Sequence, residues 1–205
     1  VLAGDSSGGG LTLLTLQQLA RTNTALPACA IVQSPWCYLK YDAEDVEDVS
    51  QLNEKRANYP YDSALSYWLL NATSKMALGM MDRNCKPVRN KLMKVMNDET
   101  VFNPICSSFE GLKDVAMYFM VGATEALLPD TLDCCAKAYS DGCRKIRCDV
   151  EMYMQHSWHD FVGQFPEAEH TVVKMSDFIL QHCQGVEADI PKSQYEPDPG
   201  QVVSV

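Results

Sequence analysis

Residues 115–121 read VAMYFMV, a run that is apolar on every side, and its assignment decides the fold. Upstream, Asn103-Pro104 has the form of a capped helix start, with proline where a missing N–H costs nothing. From there Ile105, Phe109, Leu112, Ala116, Phe119, Ala123 and Leu127 recur at spacings of three and four, the period of one helical face. A helix that is apolar all round has to be enclosed by others, so the run is expected to be the central helix of an all-α fold. A membrane span is excluded because Glu110, Lys113, Asp114 and Glu125 leave an uncharged stretch shorter than the roughly 20 residues a bilayer needs.

Working outward, the same period organises most of the chain between residues 43 and 183. An acidic helix is expected over 43–56. Asp62 caps a long helix to about residue 81, with Leu65, Trp68, Leu69, Ala72 and Met76 on one face. Pro87 suits the first turn of another helix, which runs to residue 96. Pro129 closes the central helix, and Asp130 caps the next, which holds Cys134 and Cys135 before Gly142 interrupts it. Residues 144–162 read as a continuation with Ile146, Val150 and Tyr153 inward, and a final helix after Pro166 places Val172, Met175, Ile179 and Cys183 together. A short helix covers residues 11–20. The expected architecture is a disulfide-stapled bundle of about six to eight helices with extended N- and C-terminal arms. Residues 1–10 form a flexible leader, 11–184 a single helical domain, and 185–205 an acidic, proline-containing tail.

Nine cysteines in 205 residues indicate an oxidising compartment, because thiols in a reducing cytosol have little reason to accumulate. The sequon Asn71-Ala72-Thr73 agrees with a secreted, N-glycosylated protein. Cys29, Cys37, Cys85, Cys106, Cys134, Cys135, Cys143, Cys148 and Cys183 are therefore the expected disulfide set, with one left unpaired or bonded to another chain. Cys29 and Cys37 bracket a short segment containing Pro35, and a local bridge there would contribute about 2.5 kcal/mol in the chain-entropy model. The small residue in Val1-Leu2-Ala3 is of the kind found at the end of a signal peptide. A net charge of −10 disfavours nucleic acid and anionic membrane surfaces as partners.

Several constellations invite a chemical reading. Gly4-Asp5-Ser6-Ser7-Gly8-Gly9 resembles the GDSGG stretch around the nucleophile of trypsin-like proteases, with one serine inserted. That mechanism needs histidine and aspartate partners in a β-barrel, so the segment is read as a flexible linker. Asp133-Cys134-Cys135, with Asp141 and Cys143, resembles the double-cysteine helix of secreted phospholipases A2, but Ala136, Lys137 and Ala138 stand where that family carries its His-Asp pair. His156, His159 and Asp160 fall within about one helical turn and are weak candidates for a divalent metal. Asp42, Glu44, Asp45, Glu47 and Asp48 suit a helix start better than calcium, since an EF-hand glycine is missing. Ten methionines could line an apolar pocket or fill a core. These readings converge on a non-catalytic secreted glycoprotein without a cofactor, acting through a protein partner or copies of itself. The alternatives are a helical carrier of a small apolar ligand and a secreted hydrolase or toxin related to phospholipase A2.

Overall fold

In a computed structural model of the protein, residues 1–38 and 102–184 are described, and they build a parallel sheet covered by helices on both faces. Strand β1 is Leu2–Asp5, β2 is Cys29–Gln33, β3 is Ala116–Gly122 and β4 is Ile146–Glu151. They lie side by side in the order β1-β2-β3-β4, every neighbouring pair parallel. Parallel neighbours need crossover segments. Helix α1 (Ser7–Arg21) links β1 to β2, and α2 (Leu128–Ser140) links β3 to β4. Helix α3 (Pro166–Gln184) follows β4.

The expected all-α bundle is overturned by the run it was built on. VAMYFMV is apolar all round because β3 is sandwiched between two cores, each side taking alternate residues. Met117 and Phe119 pack with Ala30, Val32, Leu13, Leu16, Cys134 and Cys135 on the face covered by α1 and α2. Ala116, Tyr118 and Met120 pack with Cys29, Ile31, Trp158 and Phe178 on the α3 face. A strand buried on both faces and a helix buried on all sides look alike in hydrophobicity. Residues 105, 109 and 112 keep a near-helical spacing, but Pro104–Cys106 and Glu110–Leu112 are single 3-10 turns ahead of the strand.

Two further expectations are corrected by the same sheet. The supposed flexible leader, residues 1–10, is β1, a tight turn and the start of α1, so an extended N-terminal arm does not describe it. The expected helix over 144–162 is β4 followed by loop, and Tyr153, expected inward, is 82% exposed. Helices anticipated after Pro129 and Pro166 are present as α2 and α3. In α3, Met175 and Ile179 pack on the core beside buried Phe178, while Val172 faces outward. The helices expected over 43–96, the acidic cluster from Asp42 to Asp48, Asn71, Cys85 and the 185–205 tail lie outside the described residues. No described helix is long and apolar enough to cross a membrane.

A buried ionic group fixes β4 against β3. Arg147 and Asp149 point to the same face two residues apart, with Nη2 2.7 Å and Nε 3.1 Å from the Asp149 carboxylate. Tyr118 donates its hydroxyl to Asp149 at 2.7 Å, and the Arg147 guanidinium lies 4.7 Å above the Tyr118 ring. Burial, then the neighbouring Asp149, pushes the Tyr118 phenol far up, so it remains a donor. Arg147 and Asp149 are both buried, and taking the carboxylate away would strand a guanidinium out of water. Asp149→Ala is expected to cost about 3–5 kcal/mol of folding stability, read as a lower urea midpoint. A loss below about 1 kcal/mol would show that water already serves the pair.

The cysteines sit differently from the local bridge expected between Cys29 and Cys37. Cys29 begins β2 and its sulfur faces Cys183 at the end of α3, 3.7 Å away, still beyond the ~2.05 Å of a disulfide bond. Burial and the adjoining thiol push Cys29 up to about 11. Cys183 is the exposed member. With oxidised glutathione, Cys183 is expected to form the mixed disulfide first and Cys29 to displace glutathione from it, tying α3 to the sheet. Peptide mapping without reduction checks this: a Cys29–Cys183 cross-linked peptide is expected, and alkylation of both thiols after oxidation contradicts it. On the opposite face, Cys148 of β4 hydrogen-bonds Cys135 of α2, which with burial raises its thiol well above the ordinary range. Cys134 and Cys37 are buried in the same core, Cys106 packs against it, and Cys143 contacts the Phe109 carbonyl at 3.4 Å.

Candidate active site

The carboxyl ends of β1, β3 and β4 converge on Ser6. In a parallel α/β sheet this is the edge where crossover loops leave open space for a ligand. Ser6 sits between β1 and α1 with φ 57° and ψ −121°, a strained conformation for a residue with a side chain. The turn is pinned through its backbone: Ser6 N–H donates to the Gln33 carbonyl at 2.9 Å, and its own carbonyl accepts from Trp36 N–H at 2.9 Å. Gly4 has a definite steric reason, because a Cβ there would lie 2.2 Å from the Gly8 carbonyl oxygen. Gly10 has another, since its Cβ would come within 2.2 Å of the Trp36 carbonyl oxygen. The glycines of GDSSGGG thus permit a strand to reverse into a helix within one tight turn.

His156, on the loop after β4, places Nε2 2.9 Å from Ser6 Oγ. Its Nδ1 stands 2.9 Å from Glu125 Oε2, on the loop after β3. A carboxylate at Nδ1 requires that nitrogen to carry the proton, which leaves Nε2 as the acceptor facing the serine hydroxyl. Glu125 is fully buried, and its second oxygen accepts from Gly122 N–H at 2.6 Å and Ser34 Oγ at 2.7 Å. A buried carboxylate without such donors would be costly, and here both oxygens are occupied. Ser7, directly after the nucleophile, opens α1, so its N–H belongs to the helix's unpaired first turn and suits an oxyanion. Candidate nucleophile, orienting acid and base follow each other along the chain as Ser6, Glu125 and His156.

Of the three residues expected as metal candidates, His156 serves this hydrogen-bonded line. His159 and Asp160 gather instead around Asp5, with ligand atoms of all three within 4.8 Å of one another. His159 Nε2 is 3.2 Å from Asp5 Oδ1 and 3.9 Å from Asp160 Oδ1. Ser157 Oγ donates to Asp5 Oδ2 at 3.1 Å. Burial pushes the Asp5 carboxyl up, but the adjoining His159 imidazole, helped by His156 and Ser157, outweighs it and holds the carboxyl below the usual carboxylate range.

The reading of residues 4–9 as a linker is corrected by the turn they form. The legible signal was the spacing Gly4-x-Ser6-x-Gly8 directly before a helix, which is the nucleophile elbow of an α/β hydrolase. The trypsin-type stretch it resembles belongs to a β-barrel, whereas here the turn joins β1 to α1. Glu125 had no local motif, and its assignment depends on the β3 end falling beside β1 and β4. The double-cysteine helix that resembles phospholipase A2 packs Cys134 and Cys135 into the core and carries none of the site.

Elbow, partner order and parallel sheet together define an α/β hydrolase. Residues 1–162 match a family described by the alpha/beta hydrolase fold, and the chain belongs to that family. Among solved structures it is similar to an esterase/lipase from an uncultured bacterium, at 26% identity and a TM-score of 0.63 over 88% of this chain and 52% of that one. It is also similar to EstE5, at 25% identity and a TM-score of 0.66 over 88% and 52%. A hormone-sensitive lipase from a metagenome library shares the fold at 21% identity, with a TM-score of 0.67 and coverage of 88% and 53%. The chain therefore spans about half the length of these relatives. No curated protein matches it. A non-catalytic interaction protein or helical carrier is inconsistent with this family and with the Ser6–His156–Glu125 line.

Proposed function

We propose that the protein is a serine-dependent carboxylic ester hydrolase. The observation that carries this reading is the unbroken line of Ser6 Oγ, His156 and Glu125, with both contacts of the imidazole at 2.9 Å. In the first half-reaction, Ser6 Oγ attacks the ester carbonyl while His156 Nε2 takes the hydroxyl proton. The developing oxyanion is met by Ser7 N–H at the start of α1. His156 then returns the proton to the leaving alkoxide, releasing the alcohol and leaving an acyl-serine. Water repeats the sequence, with His156 as base, and frees the acid and Ser6. Glu125 holds the imidazole tautomer and stabilises the imidazolium formed in each half.

The choice of esters is supported by the likeness to an esterase/lipase from an uncultured bacterium at 26% identity. The test is hydrolysis of a p-nitrophenyl ester series from acetate to palmitate by the purified protein. Saturable release with an initial burst equal to the enzyme concentration is expected, and the chain length with the highest kcat/KM defines the acyl preference. No turnover of any ester by folded protein would contradict the reading.

The nine cysteines and the Asn71 sequon support a secretory setting for this hydrolase. Protein made in a eukaryotic secretory host is expected to lose mass on endoglycosidase treatment, and unchanged mass would count against glycosylation at Asn71.

A further inference from the structure

The loop that delivers His156 has no strand of its own to hold it, yet its imidazole must stay in line with Ser6. Ser157 follows the base with φ 59°, a left-handed conformation that a side chain adopts only under external constraint. Immediately beyond it, Trp158–Asp160 forms a 3-10 turn whose outer side is fixed by Trp158 Nε1 donating to Thr171 of α3 at 3.3 Å. Its inner side meets the elbow. The Asp5 carboxylate takes Ser157 Oγ on one oxygen, at 3.1 Å, and stands 3.2 Å from His159 Nε2 with the other. Asp5 directly precedes the nucleophile, and Ser157 directly follows the base.

We propose that Asp5 is a positioning residue for the hydrolysis, its carboxylate clamping the His156 loop to the nucleophile elbow through Ser157 and His159. The inference rests on the ester-hydrolase reading above. The imidazole's partners at 2.9 Å are Ser6 and Glu125, so Asp5 is assigned a supporting role behind them. It acts by keeping Ser6 Oγ and His156 Nε2 at 2.9 Å, where the proton can pass as the attack proceeds. The hydrogen bond from Ser157 and the close approach of His159 fall on the two oxygens of one carboxylate, so both tie the loop to the elbow. A displacement of about 1 Å between such groups is enough to cost on the order of 100-fold in rate.

The test compares wild type, Asp5→Asn, Asp5→Ala and His159→Gln on the preferred p-nitrophenyl ester. Asparagine keeps an acceptor for Ser157 but gives up the charge opposite His159, whereas alanine gives up both attachments. Burst and steady-state rates are expected to fall about 10-fold in Asp5→Asn and about 100-fold in Asp5→Ala, with KM within about twofold of wild type. Adding His159→Gln to Asp5→Ala is expected to lower kcat no further, because both act through one carboxylate. A merely structural role would instead lower Tm and the active fraction, leaving kcat per burst-titrated site unchanged. If Asp5→Ala does not fold, His159→Gln alone carries the comparison, with a drop in kcat per titrated site expected.

Wild-type kcat per titrated site in both Asp5→Asn and His159→Gln would overturn the proposal while leaving the hydrolase reading intact. Loss of wild-type activity on adding EDTA, restored by zinc ion, would also overturn it, in favour of a cation held by Asp5, His159 and Asp160. An inactive wild type would instead remove the hydrolase reading on which the proposal stands.

Discussion

Ser6→Ala is expected to lower kcat for ester hydrolysis by about 10⁴- to 10⁶-fold while leaving the protein folded. The loss is large because, on the proposed mechanism, Ser6 Oγ is the atom that joins the substrate, and it is the hydroxyl that stands 2.9 Å from His156 Nε2. Ser7, although adjacent, is the first residue of α1 and offers its backbone to the oxyanion. The stability cost is small because serine already pays for the left-handed φ of 57°, and alanine pays nearly the same. The change removes one hydrogen bond to the imidazole, about 1 kcal/mol. Single-turnover kinetics together with a thermal melt check this. An enzyme that keeps more than about one-hundredth of its kcat with an unchanged Tm would place the nucleophile elsewhere.

Glu125→Gln is expected to be almost as damaging, about 10⁴-fold in kcat, although the two side chains are nearly the same size. The direction follows from what surrounds the group. Oε1 accepts from both Gly122 N–H and Ser34 Oγ, so the carbonyl of a glutamine would settle there and its NH₂ would face His156 Nδ1. Two donors cannot share that contact. The imidazole would then carry its proton on Nε2, pointing at Ser6 and unable to accept the hydroxyl proton. Turning the amide over merely moves the conflict to Gly122 N–H, at an expected stability cost of about 1–3 kcal/mol. Steady-state kinetics on folded Glu125→Gln checks this, with KM expected to change little. Activity within tenfold of wild type would mean that Glu125 holds the loop without setting the tautomer.

The helices α1, α2 and α3 were legible in the sequence because each keeps one polar side and has a proline or glycine near an end. The strands were not. Alternation is the signature of a strand with one wet face, and β2 and β3 have none to show, since α1 and α2 cover one side of the sheet and α3 the other. The flanking spacings of Ile105, Phe109 and Leu112 extend the helical period of VAMYFMV, although they belong to separate turns. The site suffered in the same way. Gly4-Asp5-Ser6-Ser7-Gly8 means little in a leader and a great deal between a strand and a helix, so the error in the fold concealed the nucleophile. His156 was singled out for its neighbours His159 and Asp160, whereas its working partners are 31 and 150 residues away in sequence. A count of cysteines does not distinguish a stapled bundle from thiols such as Cys29 and Cys148 placed in strands of a sheet.

The most direct measurement of the central claim is covalent labelling with a fluorophosphonate, followed by peptide mass mapping of wild type and His156→Ala. One adduct per chain is expected, on the Oγ of Ser6, formed rapidly in wild type and slowed by several orders of magnitude without the imidazole. An adduct on any other residue, or no adduct on folded protein, would contradict the assignment of Ser6, His156 and Glu125 as the hydrolytic machinery.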